Sequence, residues 1–150
     1  MKQVAILMGS PNDKAKMAPA LETLAEFGVP ASEHVMSAHR TPEVVVAFAR
    51  GAREAGFAAI ICGAGMAAHL AGAVAANTTL PVIGVPLSGG ALNGVDALYA
   101  TVQMPRGIPV ATVAVDGALN AALLAIEIMA VTDQPLAERL ASYRAGWVTG

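Results

Sequence analysis

Ala55-Gly-Phe-Ala-Ala-Ile-Ile-Cys-Gly-Ala-Gly65, Met66-Ala-Ala-His-Leu-Ala-Gly-Ala-Val-Ala-Ala76 and Asn77-Thr-Thr-Leu-Pro-Val-Ile-Gly-Val85 decide the fold. No Asp, Glu, Lys or Arg occurs from Ala55 to Val95. A membrane helix needs ~20 mostly apolar residues, and Phe57 to Ala76 has that length. Gly63, Gly65, His69 and Gly72 lie inside it, however, and Pro81 and Pro86 interrupt the next apolar run. Its front half reads instead as a short buried strand. The stretch therefore predicts a strand over Phe57 to Cys62, a small-residue helix over Ala67 to Ala76 and a strand over Pro81 to Val85. No membrane partner is expected.

The same alternation continues outward on both sides. Toward the N-terminus, Val4 to Met8 is an apolar run ended by Gly9, and Ala15 to Phe27 reads as a helix stopped by Gly28. His34 to Met36 is a short strand. Thr41-Pro42-Glu43 opens a helix that runs to about Ala55, with threonine as cap, proline at the first helical position and glutamate complementing the dipole. Toward the C-terminus come a helix from Gly94 to Gln103, a strand from Ile108 to Val115, and helices over Ala118 to Val131 and Pro135 to Arg144. Five strands alternating with helices predict an α/β protein, a three-layer αβα arrangement with a parallel sheet. The flavodoxin-like order 2-1-3-4-5 fits this length, with a C-terminal helix added. Ligands in such sheets bind beyond the carboxyl ends of the strands, where the strand order reverses. That point lies between the first and third strands.

Composition narrows the function classes. The 150 residues are 55% hydrophobic and only 13% charged, with a formal net charge of −2. Charge is about half the usual ~25%. Intrinsic disorder needs the opposite balance, and a nucleic-acid binder needs a basic footprint that is absent. The length predicts one domain over 1–150, large enough to bury roughly 68–70% of its unfolded surface. The one cysteine, Cys62, has no internal disulfide partner, which suits a reducing cytoplasm. Lys2 followed by the short apolar run Val4 to Gly9 is too brief for a secretory signal. So little charge over so much apolar sequence predicts a homo-oligomer. The apolar helix Ala118 to Val131 is expected to be hard for one subunit to cover alone.

The loops at the carboxyl ends of the strands hold the chemistry. In Gly9-Ser10-Pro-Asn12-Asp13, a serine hydroxyl and the amides of a helix start suit an anion such as phosphate. Asp13 either accepts from ribose hydroxyls or simply caps the helix; both readings stand. In Ser37-Ala-His39-Arg40-Thr-Pro42, a guanidinium beside a helix start makes a phosphate clamp, and an imidazole can pass a proton either way. In Gly63-Ala64-Gly65-Met-Ala-Ala-His69, two glycines allow close backbone approach. His69, about one turn into the next element, is either a buried structural histidine or a functional one. Pro86-Leu-Ser-Gly-Gly90 has the glycines of a segment that closes over a ligand. Arg106 lies at the opposite edge; it either reaches a site in a neighbouring subunit or is a plain turn arginine. No metal is expected, because the histidines and Cys62 lack zinc-type spacing. Lys2, Lys14 and Lys16 show no cofactor-lysine pattern, and glycine motifs for dinucleotides or a P-loop are missing.

These segments, together with Leu92-Asn-Gly-Val-Asp96 and Val102-Gln-Met-Pro-Arg-Gly-Ile-Pro-Val-Ala111, resemble the 5-(carboxyamino)imidazole ribonucleotide mutase (PurE) family of purine biosynthesis, in order and over nearly the whole chain. Arg40 after His39, and the Gly63-Ala-Gly and Ala67-Ala-His-Leu70 segments, are similar to its bacterial mutase class. The related class that carboxylates with free carbon dioxide carries a lysine there and a different third loop. The resemblance implies an isomerase that moves a carboxylate from the exocyclic nitrogen to the ring carbon of a small-molecule ribonucleotide, without cofactor. It implies His39 as general acid/base, and Ser10, Asn12, Asp13, Ser37 and Arg40 as substrate-binding, with Arg40 on phosphate and Asp13 on ribose. Gly63, Ala64, Gly65 and His69 would line the carboxylate pocket. An octamer with shared sites is implied as well. Asn12 stands where the family usually has serine, Met66 where it has glycine, and Ala71 where it has proline. The end at Gly150, shorter than typical members, is expected to alter tail contacts between subunits. The readings that compete with a mutase are the carboxylase and a non-catalytic nucleotide- or flavin-binding module.

Overall fold

Val4-Ala-Ile-Leu-Met8 has no polar face because both of its sides are covered. Successive side chains of a strand point to opposite faces, and here each face meets a layer of helices. The computed structural model describes residues 1–148. Its strands are β1 (Gln3–Met8), β2 (Ala31–Val35), β3 (Phe57–Gly65), β4 (Val82–Leu87) and β5 (Ala111–Thr112). They form one parallel sheet in the order β2-β1-β3-β4-β5, as the alternation predicts. The helices are α1 (Lys14–Glu26), α2 (Pro42–Gly51), α3 (Leu70–Ala75), α4 (Val95–Val102), α5 (Ala118–Ala130) and α6 (Gln134–Val148).

Val4, Ile6 and Met8 pack against Met17 and Leu24 of α1, Ala122 and Ile126 of α5 and Leu136 of α6. Ala5 and Leu7 face Val45 and Ala49 of α2 and Leu70 and Val74 of α3. Each Val, Leu or Ile taken fully out of water contributes roughly 1.5–3 kcal/mol, so the two half-cores together hold the central strands. No helix among the described residues is long and apolar enough to cross a membrane. The charge-free stretch is β3, a loop, α3 and β4.

Several boundaries differ from the sequence reading. β3 runs on from Cys62 to Gly65, pairing with β4 as far as Leu87, so α3 begins at Leu70 and His69 stands just before it. β5 shrinks to two residues because it is an edge strand and Pro109 has no N–H to donate. The chain still follows β4: Val113 N–H donates to Gly84 O at 3.1 Å and Asp116 N–H to Pro86 O at 2.8 Å. Thr41 does not cap α2 with its side chain. Its hydroxyl is engaged by Ser37. α5 is covered mostly from within the chain, by α1 and α6, with Leu119 left exposed. Apolar side chains that stay open include Leu92 just before α4 and Val95, Tyr99 and Val102 on it, alongside others such as Val35, Val44 and Val131. The tail at Gly150 lies outside the described residues.

Candidate active site

A cleft of about 430 Å³ opens where the strand order reverses, above the ends of β1, β3 and their neighbours. The first loop supplies Ser10, Asn12 and Asp13 to it. Ser10 Oγ accepts from Asn12 N at 3.2 Å and caps the short turn Pro11–Asp13. Asp13 occupies the cap position of α1, yet its side chain makes no capping bond. The residue lines the cleft instead. Burial raises its pKa above the usual carboxylate value, and Lys16 and a backbone hydrogen bond from Ser10 offset this only in part.

The second loop is a tight turn tied at both ends. Ser37 N donates to Thr41 Oγ1 at 2.9 Å, and Thr41 Oγ1 donates to Ser37 O at 3.1 Å. Arg40 N donates to Ser37 Oγ at 3.1 Å. Ser37 thus lines the cleft and also holds the turn whose tip carries Ala38, His39 and Arg40. Arg40 is exposed, and among the described residues no carboxylate pairs with its guanidinium. An unpaired guanidinium at the mouth of a cleft is well suited to gripping a phosphate.

The third loop brings the second histidine. His39 Nε2 and His69 Nδ1 lie 2.7 Å apart, with the rings nearly perpendicular, their planes at 78°. Both histidines are exposed to the cleft, so His69 is not a buried structural residue. A nitrogen–nitrogen hydrogen bond holds one proton between the rings. The pair can hand a proton out and take one back without losing its geometry. Ala64 and Gly65 lie in the cleft wall, and Met66 adopts a left-handed backbone, φ +50°, where a side chain is strained. Gly63, read from sequence as pocket lining, lies below the cleft. The space that its side chain would occupy is taken by Met17.

Ser88, Gly89 and Gly90 complete the wall, joined by Ala38, Ala67 and Leu70. The last three escaped sequence reasoning because apolar side chains carry no chemical signal of their own. Lys16 and Asp116, which bond to Ser88, escaped it too. Asp116 beside Gly117 in a charge-poor chain was the signal available. Arg106 stands exposed on the loop before β5 and does not line the cleft. His34 is held by Ser32 at 2.9 Å and lies against Phe48, where burial lowers its pKa. Cys62 is buried, which pushes its thiol up and leaves it unreactive. Among the described residues, no three His, Cys, Asp or Glu side chains come together as a metal site.

The chain matches the model of the AIR carboxylase family over residues 3–148. It is 51% identical over 143 residues to the N5-carboxyaminoimidazole ribonucleotide mutase of Saccharolobus solfataricus, covering 95% of this chain and 90% of that one. It is 53% identical over 144 residues to the mutase of the same name from Escherichia coli, covering 95% and 85%. The crystal structure of Treponema denticola PurE superposes with a TM-score of 0.89 at 30% identity, over 98% of this chain and 92% of that one.

Proposed function

The chain belongs to the AIR carboxylase family, and from that membership we propose that it is an N5-carboxyaminoimidazole ribonucleotide mutase, an isomerase of purine biosynthesis. The observation that carries the reading is the His39–His69 pair, set in one cleft with the Asp13 carboxylate and the unpaired Arg40.

The chemistry needs one proton used twice. Protonated His39 gives its proton to the exocyclic nitrogen of the substrate; the nitrogen–carbon bond breaks and carbon dioxide is released into the cleft. The ring carbon attacks that carbon dioxide, and His39, now neutral, removes the proton from the same ring carbon. The histidine ends as it began, so the cycle closes without an outside acid or base. His69 holds His39 in place and shares its proton. Arg40 grips the phosphate as a charged fork, Asp13 accepts from the ribose hydroxyls, and Ser10, Asn12 and Ser37 supply further polar contacts. Ala64 and Gly65 leave room for the carboxylate. Holding the released carbon dioxide beside the ring carbon raises its effective concentration, so recombination outruns escape.

The test is to supply either the N-carboxylated ribonucleotide or the uncarboxylated ribonucleotide with bicarbonate. A mutase consumes the first rapidly and the second poorly. The reverse preference identifies a carboxylase, and turnover of neither leaves only a nucleotide-binding module. His39→Asn should abolish turnover with folding intact, and retained activity in that variant would contradict its role.

The working form is a cytoplasmic homo-oligomer, an octamer by analogy with the family. Val95, Tyr99 and Val102 support this, being exposed at a 4-3 spacing that lines them along one face of α4, with Leu92 exposed just before it. A second copy of the chain would cover them and bring Arg106 toward a neighbouring site. Sedimentation showing a stable monomer at micromolar concentration would overturn the assembly.

A further inference from the structure

At the cleft wall lies a polar cluster, built on Ser88, that the mechanism does not use. Lys16 of α1, Ser88 at the end of β4 and Asp116 after β5 meet although 72 and 28 residues separate them from Ser88. Every polar group of Ser88 is engaged. Its N–H donates to Asp116 Oδ1 at 2.9 Å and its hydroxyl donates to Oδ2. Its carbonyl accepts from Lys16 Nζ, which also reaches Ser88 Oγ at 3.3 Å. Asp116 is anchored in turn, through its own N–H to Pro86 O at 2.8 Å, with φ at +59°. Gly94 presses on the other side: a Cβ there would come within 3.2 Å of Ser88 Cα.

The next two residues are the ones that need such an anchor. Gly89 and Gly90 take φ values of +140° and +66°, which glycine adopts without the cost a side chain would bring. They stand opposite Met66, whose Cγ and Sδ lie 3.1 Å from where a Gly90 side chain would begin. Leu87, just before Ser88, pairs with Gly65. Gly90, next to Gly89, and Met66 therefore meet across the glycine-lined end of the cleft.

We propose that Lys16 and Asp116 are positioning residues for carboxylate transfer: through Ser88 they hold Gly89–Gly90 against Met66 and close the end of the cleft where released carbon dioxide waits. This rests on the mutase reading. With the wall held, carbon dioxide freed by nitrogen–carbon cleavage is recaptured by the ring carbon. With the wall loose it diffuses away, and the proton given by His39 stays on the amine. The leaked products are carbon dioxide and the uncarboxylated ribonucleotide, at the expense of one solvent proton to recharge His39.

The experiment supplies the N-carboxylated ribonucleotide and measures both the ring-carboxylated product and the uncarboxylated ribonucleotide, corrected for spontaneous decay. Lys16→Met keeps the stem and removes the donor; Asp116→Ala removes the acceptor; Ser88→Ala removes only the hydroxyl. The ratio of uncarboxylated ribonucleotide to product should rise about tenfold in the Lys16 and Asp116 variants, the size of one lost hydrogen bond to a charged group. Total consumption should stay within about threefold, because His39 is untouched. Lys16→Arg and Asp116→Glu should bring the ratio back toward wild type. Thermal unfolding of each variant checks that it folds. An unchanged ratio in folded variants, with product from the wild type, overturns this proposal alone. A parallel fall of both products at constant ratio overturns it too, since that is the signature of a general structural loss. A wild type that makes no ring-carboxylated product overturns the mutase reading itself.

Discussion

Replacing His69 by alanine removes the hydrogen-bond partner of the His39 ring and leaves the proposed acid/base in place. The 2.7 Å contact is at the short end for a nitrogen donor and acceptor. When His39 carries its extra proton the bond is charge-assisted, and such bonds are worth about 1.5–3 kcal/mol. At 1.36 kcal/mol per factor of ten, kcat should fall about 10–150-fold. His39→Asn should cost more, because positioned acid/base catalysis contributes about 10²–10⁴. The decisive comparison is the double variant. If His69 acts through His39, then His39→Asn with His69→Ala should be no slower than His39→Asn alone, within about threefold. Residues that act as a unit are not additive. Initial rates at saturating N-carboxylated substrate give all four corners of the cycle. A His69→Ala enzyme within twofold of wild type would refute the coupling. So would a double variant that loses the product of the two single effects.

Arg40→Ala should raise KM about tenfold or more with little change in kcat, since a charged hydrogen bond to phosphate is lost equally in ground and transition states; an unchanged KM would contradict the phosphate role. Asp13→Asn should weaken substrate binding yet stabilise the free protein at neutral pH. Burial raises the folded pKa of Asp13, so its ionisation costs stability as pH climbs from the unfolded value of about 3.9 through the raised folded one. The gain from asparagine should therefore grow from pH 3.5 to pH 7 in urea unfolding, and a pH-independent gain would count against it. Gly84→Ala should destabilise by about 1–3 kcal/mol, or roughly 2–12 °C in Tm. The added methyl overlaps Thr101 Cγ2 and comes within 3.0 Å of Val110 Cγ1. Thr101→Ser keeps the hydroxyl bond to Ala97 O and should recover most of the loss; no recovery would refute that packing account.

Much of the candidate site was legible because its residues are chemically loud and stand at strand ends. His39, Arg40 and Asp13 were identified by residue type and by position after an apolar run, and the structure brings all three to one cleft. Gly63 was misplaced because a glycine's role depends on what fills the space it leaves, here Met17. β5 was drawn too long because apolar sequence records burial, whereas pairing needs donors that Pro109 lacks. The apolar run of α5 suggested a surface awaiting a partner, but α1 and α6 already cover most of it.

By itself, the sequence determined the alternation of strands and helices, the parallel sheet and its order, and which loops carry polar chemistry. Those properties are local: period, caps and residue type are written within a few positions of one another. Only the tertiary structure decided which distant groups touch. His39 and His69 are 30 residues apart, and Lys16 and Ser88 are 72 apart. Whether such groups meet depends on how far each strand runs before its loop turns, on the register between β3 and β4, and on the side chains packed beneath. No short window of sequence encodes these distances, because they are set by the whole sheet at once.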